Sequence, residues 1–178
     1  MPYDDSPAGA MAQVERFGRG APLLCLHGGG GLTSSAGFFQ ALGERYEVIA
    51  IRQPGFDGTE APDWLESIQD VALFHLDAMD AMGIKKAHVL GLSLGGWLGM
   101  EYVARFPGKL GSFVIADSAA DIPHLTSELD RLREGLGIET VRMMQRYEAQ
   151  GKYEHPEYLA AITLLNYSHM CRLEDYPP

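Results

Sequence analysis

The sequence predicts an α/β fold built around a mostly parallel sheet. Short apolar runs alternate with amphipathic segments over the first two thirds of the chain, a pattern typical of strands that each lead into a helix. Two glycine-rich stretches directly follow apolar runs, which places tight turns at the ends of two strands. We expect a core at residues 1–118 and a helical region at residues 119–178.

Five apolar runs are the strand candidates. Four are compact, and the run nearest the start of the chain is weaker. The runs are 13–17, 23–26, 48–51, 89–90 and 113–116. Glycines from Gly28 onward end the second run and Pro54 ends the third, because both residue types interrupt extended backbone.

Amphipathic segments between these runs predict three helices in the core. The first is expected to follow a cap at Ser34 or Ser35 and to end at Gly43. The second covers residues 65–82, where apolar residues recur at helical spacing, and the third covers residues 94–106.

After Asp117 only helical segments are predicted, at residues 128–134, 138–150 and 157–170. Ser127 is expected to cap the first of them, and Pro156 suits the first turn of the last. The sequence therefore predicts a core that carries a helical cap.

Composition excludes several classes of protein. Of 178 residues, 46% are apolar and 21% are charged, an ordinary globular balance. The net charge of −10 disfavours nucleic acid and anionic membrane surfaces as partners. No apolar run approaches the roughly 20 residues of a membrane span. The first nine residues lack the basic and apolar stretches of a signal peptide, so we expect a cytoplasmic location.

The two cysteines predict free thiols. Cys25 lies within an apolar run, and Cys171 lies far from it near the end of the chain. Disulfide frameworks and zinc sites need cysteine or cysteine–histidine groupings that this sequence lacks. We expect no metal ion and no cofactor.

The pentapeptide Gly91-Leu92-Ser93-Leu94-Gly95 is the strongest chemical signal. It matches G-x-S-x-G, follows an apolar run and opens a predicted helix, which is the setting of a nucleophile elbow. Such a turn strains the serine backbone and requires small neighbours, which Gly91 and Gly95 provide. The motif predicts that Ser93 is a nucleophile. A glycine-rich turn with an incidental serine is the alternative.

A second glycine-rich stretch, at residues 27–31, closes an earlier strand. Glycines let the chain approach a ligand closely and turn N–H groups inward, as an oxyanion hole requires. We expect the N–H groups of Gly29 and Leu94 to bind the oxyanion. The residues expected to bind the substrate are His27, Gly28 and Gly30. A phosphate-binding loop is the rival interpretation, but no G-K-[ST] sequence follows.

The order of these motifs resembles the α/β-hydrolase superfamily. The glycine loop comes first, residues 53–58 follow the next strand, and the G-x-S-x-G turn comes third. Residues 153–158, 166–172 and 174–178 are similar to the cap of the proline iminopeptidases and related L-amino-acid amidases. The resemblance implies a cofactor-free serine peptidase that releases an N-terminal residue, often proline, from short peptides.

The chain departs from the family's pattern. Gly30 stands where the match expects proline, and residues 52–59 look more like those of general esterases. The family places its catalytic acid and histidine on strands beyond the cap, whereas Pro178 lies where the resemblance places the middle of the cap. We expect the acid, the histidine and the last two strands of the sheet to lie outside this chain.

Substitutes for the missing residues are weaker candidates. Asp117 follows the run at 113–116, a position that some hydrolases use for the acid. The histidines that follow Ser93, all in the helical region, are His124, His155 and His169. We expect them to be surface or packing residues. Because a serine without a base is a weak nucleophile, the 178 residues alone are expected to be catalytically feeble.

The sequence thus predicts a serine hydrolase, with an aminopeptidase of the proline iminopeptidase type as the leading interpretation. An esterase or amidase acting on small acyl substrates is the first alternative. A truncated, inactive protein that binds a ligand without turnover is the second. The expected partner is a small peptide, amide or ester. Without the last strands, the run at 113–116 would be an open sheet edge that invites self-association or a completing chain.

Overall fold

The computed structural model describes residues 12–171. They form two compact units that divide between Ala120 and Asp121. The first unit contains five strands and three helices, and the second contains three helices. No helix within the described range is long and apolar enough to cross a membrane. Two expectations fall on residues outside the described range: that residues 1–9 are not a signal peptide, and that residues 172–178 are similar to the cap of the proline iminopeptidases.

The strands of the first unit form one sheet. They are β1 (Val14–Phe17), β2 (Ala21–Leu26), β3 (Tyr46–Ile51), β4 (Ala87–Leu92) and β5 (Leu110–Ala116). Their order across the sheet is β1-β3-β2-β4-β5. β1 pairs antiparallel with β3, and the other three pairs are parallel. The prediction of a mostly parallel sheet is confirmed.

The central strands are apolar throughout because helices cover both faces of the sheet. Successive side chains of a strand point to opposite faces. Leu24 and Ile49 accordingly face a core that includes Tyr102, whereas Cys25 and Ala50 face a second core that includes Phe39 and Leu32. This double burial explains why residues 23–26 and 48–51 show no alternation with polar residues.

Three helices, α1 (Gly31–Leu42), α2 (Ile68–Ala81) and α3 (Leu94–Arg105), pack on this sheet. The predicted cap of α1 at Ser34 or Ser35 is wrong. The helix begins directly from the glycine loop, with Gly30 as its N-cap and no side-chain cap bond. The carboxylate of Asp57 replaces that cap by accepting hydrogen bonds from two N–H groups in the first turn.

The helices of the second unit are α4 (Ile122–Glu134), α5 (Ile138–Ala149) and α6 (Pro156–His169). The predicted start of α4 after Ser127 is wrong, because Asp121 caps the helix by accepting a hydrogen bond from the N–H of His124. The predicted place of Pro156 in the first turn of α6 is confirmed.

Carboxylate acceptors join the three helices of the second unit. The carboxylate of Glu148 on α5 accepts a 2.7 Å hydrogen bond from Arg133 on α4 and a 3.0 Å bond from the Tyr158 hydroxyl on α6. Tyr147 donates a 2.7 Å hydrogen bond to Glu157. A charged hydrogen bond of this kind fixes helix orientation as well as adding stability.

The cysteines are free, as predicted. Cys25 is buried in β2 and Cys171 is partly exposed. Burial raises the pKa of the Cys25 thiol to about 12, so this thiol remains protonated and serves as a small apolar core residue.

Strand β5 forms one edge of the sheet. Among residues 12–171 it pairs only with β4. Its neighbouring residues Val114 and Ile115 point to opposite faces and are 51% and 47% exposed. In the described part of the chain, an apolar strand edge is therefore open.

We predict that two adjacent phenylalanines of α1 differ sharply in their contribution to stability. Phe39 is fully buried against the sheet, whereas Phe38 is 50% exposed. Phe39→Ala is expected to lower the free energy of unfolding by about 3–5 kcal/mol, because it leaves a cavity in the core. Phe38→Ala is expected to cost about 1 kcal/mol or less. Urea denaturation followed by tryptophan fluorescence measures both, and equal costs would contradict the packing described here.

Candidate active site

Ser93 occupies the turn between β4 and α3. It is the N-cap of α3, with φ 52° and ψ −117°, a region of backbone conformation that L-residues rarely adopt. Its side chain makes no capping hydrogen bond to the helix, so the hydroxyl does not accept from the N–H groups of the first turn of α3. The strained strand-to-helix turn predicted from G-x-S-x-G is confirmed.

Glycines surround this turn because there is no room for side chains. A Cβ atom on Gly95 would collide with the backbone carbonyl of Leu26 at the end of β2. One on Gly91 would lie 2.6 Å from the Cα of Gly96, and one on Gly96 would collide with the Ser118 hydroxyl. The turn after β4 thus packs directly against the end of the neighbouring strand.

The end of β5 supports the turn from the other side. The N–H of Ser93 donates a 2.9 Å hydrogen bond to the carbonyl of Ala116. The hydroxyl of Ser118 donates to the Ser93 carbonyl at 2.7 Å and lies 3.1 Å from the Ala116 carbonyl. No local motif points to Ser118, since its place beside Ser93 depends on the pairing of β4 with β5.

The glycine loop lies beside Ser93. A Cβ atom on Gly28 would be 3.2 Å from the Cβ and 3.8 Å from the Oγ of Ser93. The two loops meet because β2 and β4 are adjacent parallel strands, with Leu26 opposite Gly91, and their carboxyl ends share one edge of the sheet. The predicted nucleophile and the predicted oxyanion loop are therefore neighbours in space.

Two backbone donors are available at this meeting point. Leu94 is the first residue of α3, and the first N–H groups of a helix have no partner within it. Gly29 lies at the exposed tip of the glycine loop. Within residues 12–171, neither the Gly29 N–H nor the Leu94 N–H donates a backbone hydrogen bond. Gly30, expected to bind substrate, is also exposed and is the N-cap of α1.

His27 lies beneath the loop and is fully buried. The backbone N–H of Gln53 donates a 3.0 Å hydrogen bond to its Nε2, so the proton is on Nδ1, which donates to the Gly28 carbonyl at 2.8 Å. The Gln53 side chain donates a 2.9 Å bond to the His27 carbonyl. Both ring nitrogens are thus occupied, and the ring does not reach solvent.

Burial lowers the pKa of His27, although its bond to the Gly28 carbonyl acts in the opposite direction. The imidazole is therefore neutral near pH 7, in agreement with its hydrogen bonds. Any influence of His27 on a ligand passes through the loop, which corrects the expectation of direct substrate contact.

Asp57 fixes the other end of the glycine loop. Its carboxylate accepts hydrogen bonds from the N–H groups of Leu32, at 2.6 Å, and Thr33, at 3.3 Å, and lies 3.5 Å from the Arg52 guanidinium. A Cβ atom on Gly31, where φ is 82°, would lie 2.5 Å from the carboxylate.

The pKa of Asp57 is low for a carboxyl group. Burial acts to raise it, but hydrogen bonds from Thr33 and Leu32 and the charge of Arg52 together hold it below its usual value. The sequence placed Asp57 in a family-like loop without a role, because its partners lie about 25 residues earlier in the chain.

The described histidines of the first unit make hydrogen bonds to groups other than the Ser93 hydroxyl. Among the described residues, no hydrogen bond joins a histidine to that hydroxyl. His75 is buried, donates a 2.8 Å hydrogen bond from Nδ1 to the Val71 carbonyl, and has its pKa lowered to about 4 by burial. His88 lies near the start of β4 and contacts the Ser112 hydroxyl at 2.7 Å, whereas Ser93 follows the end of that strand.

The remaining candidates lie after β5. Asp117 directly follows the strand and is exposed, with φ 52°. In the second unit, His124 lies in α4, His169 ends α6, and His155 caps α6 while stacking on Tyr147 at 4.1 Å between ring centroids. Within residues 12–171, no group of three or more histidine, cysteine, aspartate or glutamate side chains is arranged to hold a metal ion.

Comparison with known proteins identifies the family. Residues 21–152 match the family model of the α/β hydrolase fold. The chain belongs to the α/β hydrolase family, and the resemblance drawn from its motifs is confirmed.

Proline iminopeptidases are prominent among its relatives. The proline iminopeptidase of Thermoplasma volcanium is 27% identical over 164 residues, which cover 89% of this chain and 55% of that protein. The crystal structure of proline iminopeptidase from Mycobacterium smegmatis matches with a TM-score of 0.79 and 30% identity, over 99% of this chain and 62% of that one. The chain thus spans little more than half the length of these relatives.

A more distant likeness is to a lactonase. Crystal structures of an N-acyl homoserine lactonase complexed with N-butanoyl homoserine match with a TM-score of 0.54 and 32% identity, over 61% of this chain and 42% of that one.

We predict that adding one methyl group at Gly95 destabilises the first unit, whereas the same change at Gly37 stabilises it. A Cβ atom on Gly95 meets the Leu26 carbonyl, while one on Gly37, in the exposed part of α1, meets nothing within 4 Å. Gly95→Ala is expected to cost more than about 2 kcal/mol through overpacking. Gly37→Ala is expected to gain about 0.5–1 kcal/mol from helix propensity. Thermal and urea unfolding measure both changes, and a neutral Gly95→Ala would rule out the close turn.

Proposed function

We propose that this chain supplies the nucleophile and the oxyanion-binding groups of a serine hydrolase that releases N-terminal residues from short peptides. The observation that carries this proposal is the strained Ser93 turn lying beside the glycine loop. A positive φ at a serine costs about 1–3 kcal/mol and persists where the surrounding structure enforces it. Such strain is typical of a nucleophile elbow, which holds the hydroxyl clear of the sheet.

In the proposed reaction, the Ser93 Oγ attacks the carbonyl carbon of the scissile amide. A new C–O bond forms, and the carbonyl electron pair moves to the oxygen. The N–H groups of Gly29 and Leu94 are the proposed donors to this oxyanion, because both are free of other backbone acceptors in the described range. The amino-terminal end of α3 adds a favourable dipole for the developing negative charge.

The glycine loop must be held in place for this purpose. His27 and Gln53 hold one end of the loop through three hydrogen bonds, and Asp57 holds the other through the first turn of α1. Oxyanion stabilisation depends on donors that are already oriented before reaction. We assign His27 to positioning the loop, and Gly28 and Gly30 to forming the surface against which the substrate lies.

The proton of Ser93 must pass to a base, and then to the leaving amine. Among the described residues of the first unit, no histidine makes a hydrogen bond to the Ser93 hydroxyl. We propose that the histidine and acid of the complete hydrolase come from residues outside this unit. The relatives of this chain are longer, since it spans 55% of the curated proline iminopeptidase from Thermoplasma volcanium.

The second unit is proposed to be part of the helical cap domain of the hydrolase. Its three helices follow β5 in the chain, and the similarity of the chain to proline iminopeptidases makes a short peptide the leading substrate class. The negative net charge of −10 argues against nucleic acid as a ligand.

An esterase or amidase acting on small acyl groups is the second candidate. The likeness to an N-acyl homoserine lactonase favours it, and the same nucleophile and oxyanion donors would serve an ester equally well. A protein that binds a ligand without turnover is the third candidate, favoured by the absence of a histidine partner for Ser93 among the described residues.

We predict that removal of the Ser93 hydroxyl abolishes covalent labelling and turnover without loss of the fold. A small phosphonate with a reactive p-nitrophenyl leaving group is expected to label Ser93 of the unsubstituted chain slowly, on prolonged incubation, because the missing base also limits attack on phosphorus, with mass spectrometry locating the adduct. Neither Ser93→Ala nor Ser93→Gly is expected to be labelled. Turnover of prolyl and alanyl p-nitroanilides by the 178 residues is expected to be slow, because loss of an activating base costs on the order of 10⁴–10⁶ in rate.

The two variants also test the strained turn independently of activity. Ser93→Ala is expected to leave stability unchanged within about 0.5 kcal/mol. Ser93→Gly is expected to be more stable than Ser93→Ala by about 1 kcal/mol, because glycine adopts a positive φ without strain. Labelling of another residue, or turnover that survives in Ser93→Ala, would overturn the assignment. Faster cleavage of p-nitrophenyl esters than of anilides, each dependent on Ser93, would favour the esterase.

A further inference from the structure

A cavity of about 320 Å³ opens in the first unit beside the start of α3. We call it the Leu94 cavity. Its apolar walls come from the loop after β3, the segment leading into α2, α2 itself and the first turns of α3. These wall residues are Phe56, Leu65, Ile68, Val71, Leu94 and Leu98.

The cavity lies next to the nucleophile in the chain and in space. Leu94 follows Ser93 directly, so their Cα atoms are about 3.8 Å apart. Leu98 lies one turn later on the same side of α3. Leu94 therefore contributes both the proposed oxyanion donor and a wall of the cavity. A substrate whose carbonyl oxygen meets the Leu94 N–H has a substituent within reach of this space.

The walls are also tied to the glycine loop. Gln53, which lines the cavity, makes hydrogen bonds to both the ring and the carbonyl of His27. The Phe56 ring packs edge-on against His27, with 5.4 Å between centroids. The cavity and the proposed oxyanion loop thus share the same support, and the cavity is formed before any ligand arrives.

Its lining chemistry selects for neutral, apolar groups. Among residues 12–171, no lysine or arginine lines the cavity, and the acidic side chain in its lining is that of Glu66. The backbone N–H of Glu66 donates to the carboxylate of Asp70 at 3.1 Å, which brings a second negative charge near the mouth. A carboxylate entering this space would lose hydration without gaining a cation, and such burial is costly.

The volume is at the lower end of the range of about 300–1,000 Å³ found for small-molecule sites. It is therefore matched to one side group rather than to a whole substrate. We infer that the Leu94 cavity binds the neutral, apolar side group of the acyl residue whose carbonyl Ser93 attacks. This inference rests on the proposed function, since it makes the cavity the determinant of acyl specificity.

The first test measures binding without any reaction. Ser93→Ala protein is titrated with hexanamide or hexanoate at pH 7, and the methyl resonances of Val71 and Leu98 are followed by NMR. Hexanamide is expected to shift both resonances, and hexanoate is expected to shift neither. The absence of a response to hexanamide, or an equal response to hexanoate, would overturn the inference.

The second test measures specificity through Ser93. A series of p-nitrophenyl phosphonates carrying methyl, butyl or hexyl groups on phosphorus is reacted with the natural chain. The labelling rate is expected to rise roughly fourfold for each methylene that enters the cavity, the factor given by the transfer free energy of a methylene. The rise should stop once the cavity is filled.

Matched variants locate the effect. Val71→Trp fills the cavity and is expected to abolish the dependence of the labelling rate on chain length. Leu73→Trp, on an exposed part of the same helix, is expected to retain the dependence. Leu65→Ala enlarges the cavity, so the labelling rate should keep rising to longer chains than in the unsubstituted protein. This variant tests the cavity even if Val71→Trp does not fold.

The outcomes separate this inference from the proposed function. If the methyl phosphonate labels another residue, or labels Ser93 no faster than it labels other exposed serines on prolonged incubation, the proposed function fails, and the titration still decides whether the cavity binds apolar groups. If Ser93 is labelled at rates independent of chain length, or if Val71→Trp and Leu73→Trp behave alike, the nucleophile stands and the cavity assignment is wrong.

Discussion

The contact between the turn after β4 and the end of β2 is the constraint on which the rest of the site depends. Gly95 packs against the Leu26 carbonyl without room for a methyl group, and Gly28 lies against Ser93. This close approach forces Ser93 into a positive φ and places its hydroxyl beside the glycine loop. Close packing of this kind fixes one geometry, because interiors tolerate little change in volume.

Strain and hydrogen bonding are concentrated at the same edge of the sheet. Three non-glycine residues have positive φ, within the described range: Asp57, Ser93 and Asp117. Each follows a parallel strand at its carboxyl end, where ligands bind in open α/β sheets. Asp57 offsets its strain through the bonds that it accepts from the first turn of α1. The glycine loop, the Ser93 turn and the Leu94 cavity therefore all lie at the carboxyl-terminal edge of the parallel strands.

Local patterns were sufficient to predict the strands, the elbow and its glycines, because each depends on a few adjacent residues with a steric reason to be small or apolar. Contacts between segments that are far apart in the sequence could not be predicted from such local patterns. The cap of α1 was misplaced because its acceptor, Asp57, comes from another loop. Ser118 was missed because it reaches Ser93 only through the pairing of β4 and β5. The burial of His27 was not predicted because it depends on contacts with Gln53 and Phe56 from another loop.

A crystal structure of the chain after reaction with a small phosphonate tests the central claim most directly. The phosphoryl oxygen of the adduct occupies the position of the oxyanion in a tetrahedral intermediate. We expect phosphorus bonded to the Ser93 Oγ, with the phosphoryl oxygen about 2.7–3.1 Å from the backbone nitrogens of Gly29 and Leu94. An adduct on another residue, or a phosphoryl oxygen directed away from both nitrogens, would contradict the account.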